Sequence, residues 1–310
     1  MQIGITGGTG FIGRHLLSRL EEDHHTIRVL SRRETTFASP SVTHIRGQVS
    51  DPTAVSKAVS ACDVVIHLAG INVEYGSQTY DSVHVRGTQT VIDACLEASV
   101  DHLIGLSYLR ARPASGSGYL ESKWVSEELI RSAPIPGTVI KPPAVFGRGD
   151  QLLTHVARWI QTLPIVPAVG IHGRDLRPIA VEDLISCLVG ILHEPDTWPE
   201  TVALLGPETL SLQELGRRVG TALDTRIFTV PTPPSALYAG SYLQKYVMKQ
   251  PIITPAGVRM ITEGMTSPAP KGIAQSPPDR WMPRTEPSVS SIKEALDSPR
   301  RYGIRDLKIG

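Results

Sequence analysis

The sequence has few cysteines, no long apolar run and almost no net charge. Its 310 residues include three cysteines, Cys62, Cys95 and Cys187. Their spacing matches no metal-binding or redox motif, so we expect buried thiols in a reducing compartment. No apolar run has the length of a membrane span, and we expect no signal peptide ahead of the first strand. The formal net charge of +1 gives no reason to expect nucleic acid as a partner. These absences predict a cytoplasmic protein without a transmembrane segment or a metal site.

Apolar runs typical of strands alternate with helical patterns through the first half of the chain. This alternation indicates an α/β fold with a Rossmann-type, doubly wound parallel sheet covered by helices. Sheets of this kind place ligands at the carboxyl ends of their strands. We therefore look for functional residues directly after the predicted strands, which are 3–5, 27–30, 42–45, 64–68, 103–106 and 139–140.

The composition of the sequence changes after residue 147, where prolines become frequent. We predict a nucleotide-binding domain over residues 1–147 and a smaller, irregular lobe for substrate or partner over 148–310. A later strand is expected to return to the sheet near 175–206. Residues 236–249 combine apolar side chains with a basic side that ends at Lys249. This stretch could dock a membrane surface or a protein partner, but a helix covering the substrate lobe is the simpler account. The oligomeric state stays open.

Three glycines, Gly7, Gly10 and Gly13, separate the first predicted strand from the first predicted helix. We expect Gly7 to allow a tight turn, Gly10 to let a pyrophosphate approach the backbone, and Gly13 to let helix and strand pack closely. The helix that begins with Phe11 and Ile12 would direct its unpaired N–H groups and its positive end towards the phosphates. The turn therefore predicts a dinucleotide site.

The second predicted strand ends in Ser31, Arg32 and Arg33, where an NAD-selective site would carry an acidic residue. Guanidinium groups bind phosphate through two parallel hydrogen bonds, so this ending favours the 2′-phosphate of NADP over NAD. The alternative is that both arginines are solvated surface charges. Gln48 and Val49, at the end of the third predicted strand, are candidates to contact the adenine.

Tyr119 and Lys123 are four residues apart in a helical pattern, so they share one face of the helix. A tyrosine has an ordinary pKa of about 10 and is a poor base at neutral pH. We expect the nearby ammonium to lower the pKa of Tyr119. A chance surface pair is the alternative.

An ordered set of motifs along the whole chain resembles the extended short-chain dehydrogenase/reductase superfamily, which includes the NAD-dependent epimerase/dehydratase family. Within that superfamily the sequence resembles most closely an atypical branch, because its second predicted strand ends in basic residues. This branch includes the NADPH-binding accessory subunit of respiratory complex I and its bacterial relatives. The matching motifs are 6–13 at the glycine turn, 67–70 after the fourth strand, 119–123 with its Tyr-x-x-x-Lys pair, 141–147 near the nicotinamide, and 177–183.

The resemblance implies roles for residues around the predicted nicotinamide position. It makes Tyr119, Lys123 and Ser107 the catalytic residues, with Tyr119 passing a proton, Lys123 holding the nicotinamide ribose and Ser107 binding a substrate carbonyl or hydroxyl. Tyr119 and Lys123 also contact the cofactor. The remaining cofactor contacts that it implies are Leu68, Ala69, Gly70, Lys141, Pro142 and Val145.

Some residues depart from the family pattern. His84 stands where the family usually has an asparagine, and Tyr108 follows Ser107 in place of a second small hydroxyl residue. The leading hypothesis is an NADP(H)-dependent oxidoreductase or epimerase-like enzyme with a small, unidentified substrate. The alternative is a protein that keeps NADPH for structure, sensing or assembly and performs no turnover.

Overall fold

The computed structural model describes residues 1–169, 175–247, 258–259 and 262–296. Lys249, at the end of the predicted stretch 236–249, lies outside these residues. The strands are β1 Gln2–Thr6, β2 Thr26–Ser31, β3 Val42–Arg46, β4 Val64–His67, β5 His102–Leu106, β6 Gly137–Lys141, β7 Val145–Phe146, β8 Ile165–Val169, β9 Asp175–Leu176, β10 Ile179–Ala180, β11 Thr201–Ala203, β12 Leu210–Ser211 and β13 Phe228–Thr232. The α-helices are α1 Phe11–Glu22, α2 Pro52–Val59, α3 Arg86–Glu97, α4 Gly118–Arg131, α5 Leu152–Thr162, α6 Val181–His193, α7 Leu212–Ala222, α8 Pro234–Val247 and α9 Val289–Ala295.

The central sheet has seven strands in the order β11-β6-β5-β4-β1-β2-β3, and all of its pairings are parallel. The order reverses at β1, which lies between β4 and β2. This topology confirms the predicted α/β fold with a Rossmann-type parallel sheet. It also brings the carboxyl ends of β1, β4 and β5 to one edge, where ligands bind in such folds.

Apolar side chains cover both faces of this sheet because successive residues of a strand point to opposite sides. On one face, Val65 and Leu103 join a buried cluster with residues of α2, α3 and α4. On the other face, Ile5 and Val29 lie against Leu17 of α1 around Gly8. Helices therefore pack on both faces, as a doubly wound sheet requires.

The chain divides into two compact units. The first contains Met1–Pro142, Glu182–Leu204 and Ser267–Met282, and it holds the whole seven-stranded sheet. The second contains Pro143–Val181, Leu205–Thr266 and the described chain from Pro283 onward. Three two-stranded sheets belong to the second unit: β7 with β10, β9 with β12, and β8 with β13. Among the described residues, no helix is both long enough and apolar enough to cross a membrane.

The turn between β1 and α1 has room for glycine alone at two of its positions. Gly7 has a φ of +75°, and a Cβ atom there would lie 2.8 Å from the backbone nitrogen of Ala69. A Cβ atom on Gly13 would lie 2.5 Å from Cα of Gly8. Gly10 donates its N–H to the carbonyl of Gly7 at 2.9 Å and precedes α1 without a side-chain cap. The geometry matches the predicted roles of Gly7 and Gly13.

We predict that Gly13→Ala lowers the free energy of unfolding by about 1–3 kcal/mol, because the added methyl group meets backbone atoms that have little room to move. Gly240→Ala is the matched control. Gly240 lies in α8, and a Cβ atom on it would meet no other atom within 4 Å. Alanine at this position should therefore raise the free energy of unfolding by about 0.5–1 kcal/mol. Urea unfolding measures both, and equal effects would contradict the packing argument.

Candidate active site

The loops after β1 and β4 meet at the carboxyl edge of the sheet. Leu68 donates its N–H to the carbonyl of Thr6 at 3.0 Å, and Ala69 donates to the Thr6 hydroxyl at 3.3 Å. Gly70 follows, and a Cβ atom on it would lie 3.7 Å from Nζ of Lys123. The structure therefore brings together the glycine turn, the predicted contacts at 68–70 and the Lys123 side chain.

Tyr119 and Lys123 lie one turn apart in the first half of α4. Lys123 is buried, and its ammonium donates to the carbonyl of Leu106, at the end of β5, at 2.7 Å. Burial lowers the pKa of Lys123 to about 8; Glu127 opposes this shift and Lys141 adds to it. The ammonium has three donors, so the bond to Leu106 leaves others for a ligand.

The ring of Tyr119 is packed among aromatic residues from three segments. The centroids of Tyr80, His84 and Tyr108 lie 5.8, 5.8 and 5.9 Å from its own, all in edge-to-face arrangements. Burial, and next the neighbouring Tyr80, raise the pKa of Tyr119. The prediction that Lys123 lowers this pKa is therefore wrong for the protein as described. The phenol is therefore protonated at neutral pH, and it is a weaker acid than a tyrosine in water.

Ser107 belongs to a buried charged network that sequence reasoning missed. Its hydroxyl donates to Oε1 of Glu127 at 2.5 Å, and the ammonium of Lys141 donates to the same oxygen. Arg131 contacts the other carboxylate oxygen at 3.3 Å. The side chains of Glu127 and Lys141 have no exposed surface, and Lys141 also donates to the carbonyl of Ala111 at 3.3 Å. The ammonium of Lys141, predicted near the nicotinamide, is thus engaged with Glu127.

His84 connects the loop after β4 to α4 as a neutral imidazole. Its Nε2 accepts the N–H of Ile71 at 3.0 Å, so the ring proton is on Nδ1, which donates to Ser122 at 2.8 Å. The Ser122 hydroxyl donates in turn to the carbonyl of Tyr119 at 2.9 Å. Burial is the main cause that lowers the pKa of His84 to about 2. In place of the usual asparagine, this histidine supports the backbone at Tyr119.

A second buried histidine, His67, continues the hydrogen bonding below the glycine turn. Thr88 donates its single hydroxyl proton to the carbonyl of His84 at 2.5 Å, so it accepts from Nε2 of His67 at 3.1 Å. Nδ1 of His67 then accepts from the Thr6 hydroxyl at 2.7 Å. Burial, with a smaller effect of Lys123, lowers the pKa of His67 to about 3. Each group in this series of hydrogen bonds therefore has a defined role as donor or acceptor.

A groove of about 420 Å³ lies at the carboxyl ends of β2 and β3. Arg32 and Gln48, both predicted, line it together with Arg46, which was not predicted. The remaining lining residues are Gly47, Ser50 and Asp51. The carboxylate of Asp51 caps α2 by accepting the N–H groups of Thr53 and Ala54 at 3.1 and 3.3 Å. The groove thus has two arginines and one acidic group that is already engaged.

Other predicted contacts occupy different surroundings. Ser31 is buried, and its hydroxyl donates to the carbonyl of Arg33 and contacts His44, both at 2.9 Å. Val49 belongs to the apolar core beneath α3. Val145 lies in β7 of the second unit, where it pairs with Ile179. Arg33 is exposed, and Pro142 is buried and accepts the N–H of Leu109 at 2.7 Å. Their cofactor contacts, like those of Phe11 and Ile12, stay predictions.

The parallel sheet, the glycine turn and the Tyr–Lys pair on α4 define a nucleotide-binding protein of the short-chain dehydrogenase/reductase type. A family model for the NAD dependent epimerase/dehydratase family matches residues 3–204, and the chain belongs to this family. The matched residues include helix α4 with Tyr119 and Lys123, and the whole seven-stranded sheet apart from Gln2.

Relatives include a reductase and a respiratory subunit. Ceramide reductase of Caulobacter vibrioides is 30% identical over 62% of this chain and 61% of its own length. Subunit 9 of the NADH dehydrogenase [ubiquinone] 1 alpha subcomplex of Mus musculus is 28% identical over 78% of this chain and 65% of its own. The chain thus spans less than two thirds of either relative.

Solved structures show the same fold at low sequence identity. UDP-glucuronic acid 4-epimerase from Bacillus cereus, in complex with NAD, has a TM-score of 0.62 at 19% identity, with 89% of this chain and all of the other covered. The protein gox2253 has a TM-score of 0.69 at 20% identity, with 96% of each chain covered.

We predict that Glu127→Gln lowers the free energy of unfolding by about 3 kcal/mol, because it leaves the buried charge of Lys141 without a full counter-charge. Glu128→Gln is the control. Glu128 is half exposed and contacts Arg131 at the surface, so its loss should cost less than about 1 kcal/mol. The double variant Glu127→Gln/Lys141→Met should recover part of the loss in urea unfolding. A double variant as unstable as the sum of the single losses would count against the pairing.

We predict that stability falls between about pH 6 and pH 3 partly through His84. Its folded pKa is lowered to about 2, below the ordinary value of about 6.5, so acid protonates the unfolded chain first. The stabilisation is complete above pH 6.5 and is lost as pH falls. His84→Asn should reduce the slope by about 1.4 kcal/mol per pH unit. The control is His24→Asn, at an exposed turn position. Parallel slopes for wild type and His84→Asn would show that the histidine titrates alike in both states.

Proposed function

We propose that this chain is an NADP(H)-dependent oxidoreductase that reduces a carbonyl group of a small substrate or oxidises the corresponding alcohol. The observation that carries the proposal is the placement of Lys123 beside Gly70, one helical turn from Tyr119 and within the unit that holds the glycine turn. Membership of the NAD dependent epimerase/dehydratase family supports it, as does similarity to a protein named ceramide reductase.

The residues present fit a nicotinamide dinucleotide. Gly7 approaches Ala69 too closely for any side chain, and Gly10 precedes α1 without a side-chain cap. We assign the pyrophosphate to the N–H groups at Phe11 and Ile12. Lys123, anchored on Leu106, has further N–H donors for the nicotinamide ribose. When bound, the cofactor supplies or accepts the hydride.

Tyr119 is the proton donor in the proposed reduction. Burial raises the pKa of Tyr119, so the phenol keeps its proton until a stronger base takes it. The alkoxide that develops on the substrate oxygen as the hydride arrives is such a base. Ser107 donates its own proton to Glu127, which leaves the lone pairs of its oxygen to accept a hydrogen bond. We therefore assign Ser107 to a substrate hydroxyl, the group present in the alcohol form.

NADP is the preferred cofactor because the groove after β2 and β3 has two arginines. Arg32 and Arg46 both line it, and Arg46 is paired in register with Ser31 of β2. A guanidinium group binds a phosphate through parallel hydrogen bonds. The adenosine 2′-phosphate, which NAD lacks, is the group that these arginines would hold.

Arg32→Ala and Arg46→Ala should each weaken NADPH binding about tenfold, since a hydrogen bond to a charged group contributes about 1.5–3 kcal/mol. NADH affinity should change less than about twofold. The control is Arg28→Ala, because Arg28 donates to the Lys57 carbonyl and does not line the groove. Isothermal titration calorimetry measures the affinity of each variant for NADPH and NADH. An equal loss of affinity for both cofactors would contradict the preference for NADP.

Turnover is tested by following NADPH oxidation against a panel of aldehydes and ketones. Tyr119→Phe should lower kcat by about 100-fold or more and leave the NADPH Kd within a factor of about two, because it removes only the transferable proton. Tyr242→Phe, which removes the hydroxyl of an exposed tyrosine on α8, is the matched control and should leave kcat unchanged. A substrate turned over at the same rate by wild type and Tyr119→Phe would show that Tyr119 is not the proton donor.

The second candidate is a non-catalytic protein that holds NADPH for structure or assembly. The observation that favours it is the commitment of the Ser107 proton to the buried carboxylate of Glu127, with a relative that is a subunit of NADH dehydrogenase. Tight NADPH binding without turnover of any panel member, unchanged in Tyr119→Phe, would favour this candidate.

A further inference from the structure

The loop between β4 and α3 is closed by its own hydrogen bonds. Tyr75 and Gln78 exchange backbone N–H···O bonds of 3.0 Å in both directions. At the base of the loop, the Tyr80 hydroxyl donates to the carbonyl of Asn72 at 2.8 Å, and the Tyr80 N–H donates to Glu74 at 2.7 Å. These bonds hold the backbone of Gln78 in a defined position.

From this position the side chain of Gln78 reaches Arg32, at the end of β2. The guanidinium Nη1 donates to Oε1 of Gln78. Arginine has donors and no acceptor, so the carboxamide must turn its oxygen towards Arg32 and its NH₂ group away. The contact therefore fixes the orientation of both side chains.

The hydrogen bond to Gln78 leaves the Nε and Nη2 side of the Arg32 guanidinium free to bind a phosphate. With Nη1 turned to Gln78, the Nε–H and Nη2–H groups still form a parallel pair of donors for two phosphate oxygens. Arg32 lines the groove that also contains Arg46. A neutral carboxamide orients Arg32 without cancelling its charge, whereas a carboxylate at the same place would compete with a phosphate for the guanidinium.

We infer that Gln78 is a specificity-determining residue, which positions Arg32 for the 2′-phosphate of an adenosine nucleotide. The inference rests on the proposed NADP site and adds to it a residue from the loop after β4, far along the chain from the arginines. Gln78 selects NADP over NAD through Arg32. Its effect therefore depends on the 2′-phosphate and is absent for a nucleotide without one.

The test uses two small nucleotides, 2′,5′-ADP and 5′-AMP, which differ only in the 2′-phosphate. Their dissociation constants are measured by calorimetry on the full chain. Gln78→Ala should weaken 2′,5′-ADP about three- to fivefold and leave 5′-AMP within a factor of about 1.5, as expected for one lost orienting hydrogen bond. Gln78→Glu should weaken 2′,5′-ADP about tenfold or more, because an ion pair then occupies Arg32. The control is Gln89→Ala, an exposed glutamine on α3 that donates to Asp93.

The 5′-AMP affinity of each variant reports whether the nucleotide site is intact, so a folding defect is seen as a loss of both ligands. A wild type that prefers 2′,5′-ADP, with both Gln78 variants unchanged, overturns the role of Gln78 and leaves the NADP site standing. Tighter 2′,5′-ADP binding by Gln78→Ala also overturns it, since Gln78 would then be a competitor. Equal affinity of the wild type for both nucleotides overturns the NADP site itself, and the role of Gln78 with it.

Discussion

The buried carboxylate of Glu127 is the constraint on which the candidate site depends. Its two oxygens accept bonds from Ser107 after β5, from Lys141 at the end of β6, and from Arg131 on its own helix. A buried ion pair is stable only when its remaining hydrogen bonds are satisfied, and here the polar partners come from the strands and the helix that border the candidate site. The carboxylate also opposes the fall in the pKa of Lys123 caused by burial.

Helix α4 connects Glu127 to Tyr119 and Lys123, the proposed catalytic pair. One turn before Glu127, Lys123 is anchored on Leu106, and the carbonyl of Tyr119 is held by Ser122 and, through it, by His84. The Lys123 side chain and the backbone of Tyr119 are thus held by hydrogen bonds that are buried or partly buried. A site held in this way keeps its geometry before any ligand arrives, which limits the reorganisation that binding requires.

The fold and the positions of the glycine turn and of α4 could be predicted because their signals are local. Gly7 and Gly13 lie within one turn of chain, and Tyr119 and Lys123 within one turn of helix. Glu127 could not be assigned in this way, because its partners Ser107 and Lys141 are joined to it only through the sheet. The pKa of Tyr119 was predicted in the wrong direction for the same reason, since its burial, and next the effect of Tyr80, come from residues distant in sequence.

Arg46 could have been predicted as a groove residue from its position at the end of the third predicted strand. It ends β3 next to Ser31 of β2 in the register of the sheet, so the rule that ligands meet the carboxyl edge of parallel strands applies to it as much as to Arg32. The hydroxyl of Ser31, in contrast, is turned to Arg33 and His44. A strand end predicts which residues reach the edge, but the tertiary partners decide which side chains remain available there.

The most direct measurement of the central claim is a crystal structure of the complex with NADP⁺. We expect the 2′-phosphate between Arg32 and Arg46, with a nicotinamide ribose hydroxyl at about 2.7–3.2 Å from Nζ of Lys123. We also expect the nicotinamide ring to face the hydroxyl of Tyr119. A cofactor bound with its nicotinamide end away from Tyr119 and Lys123 would contradict the proposed roles of these two residues.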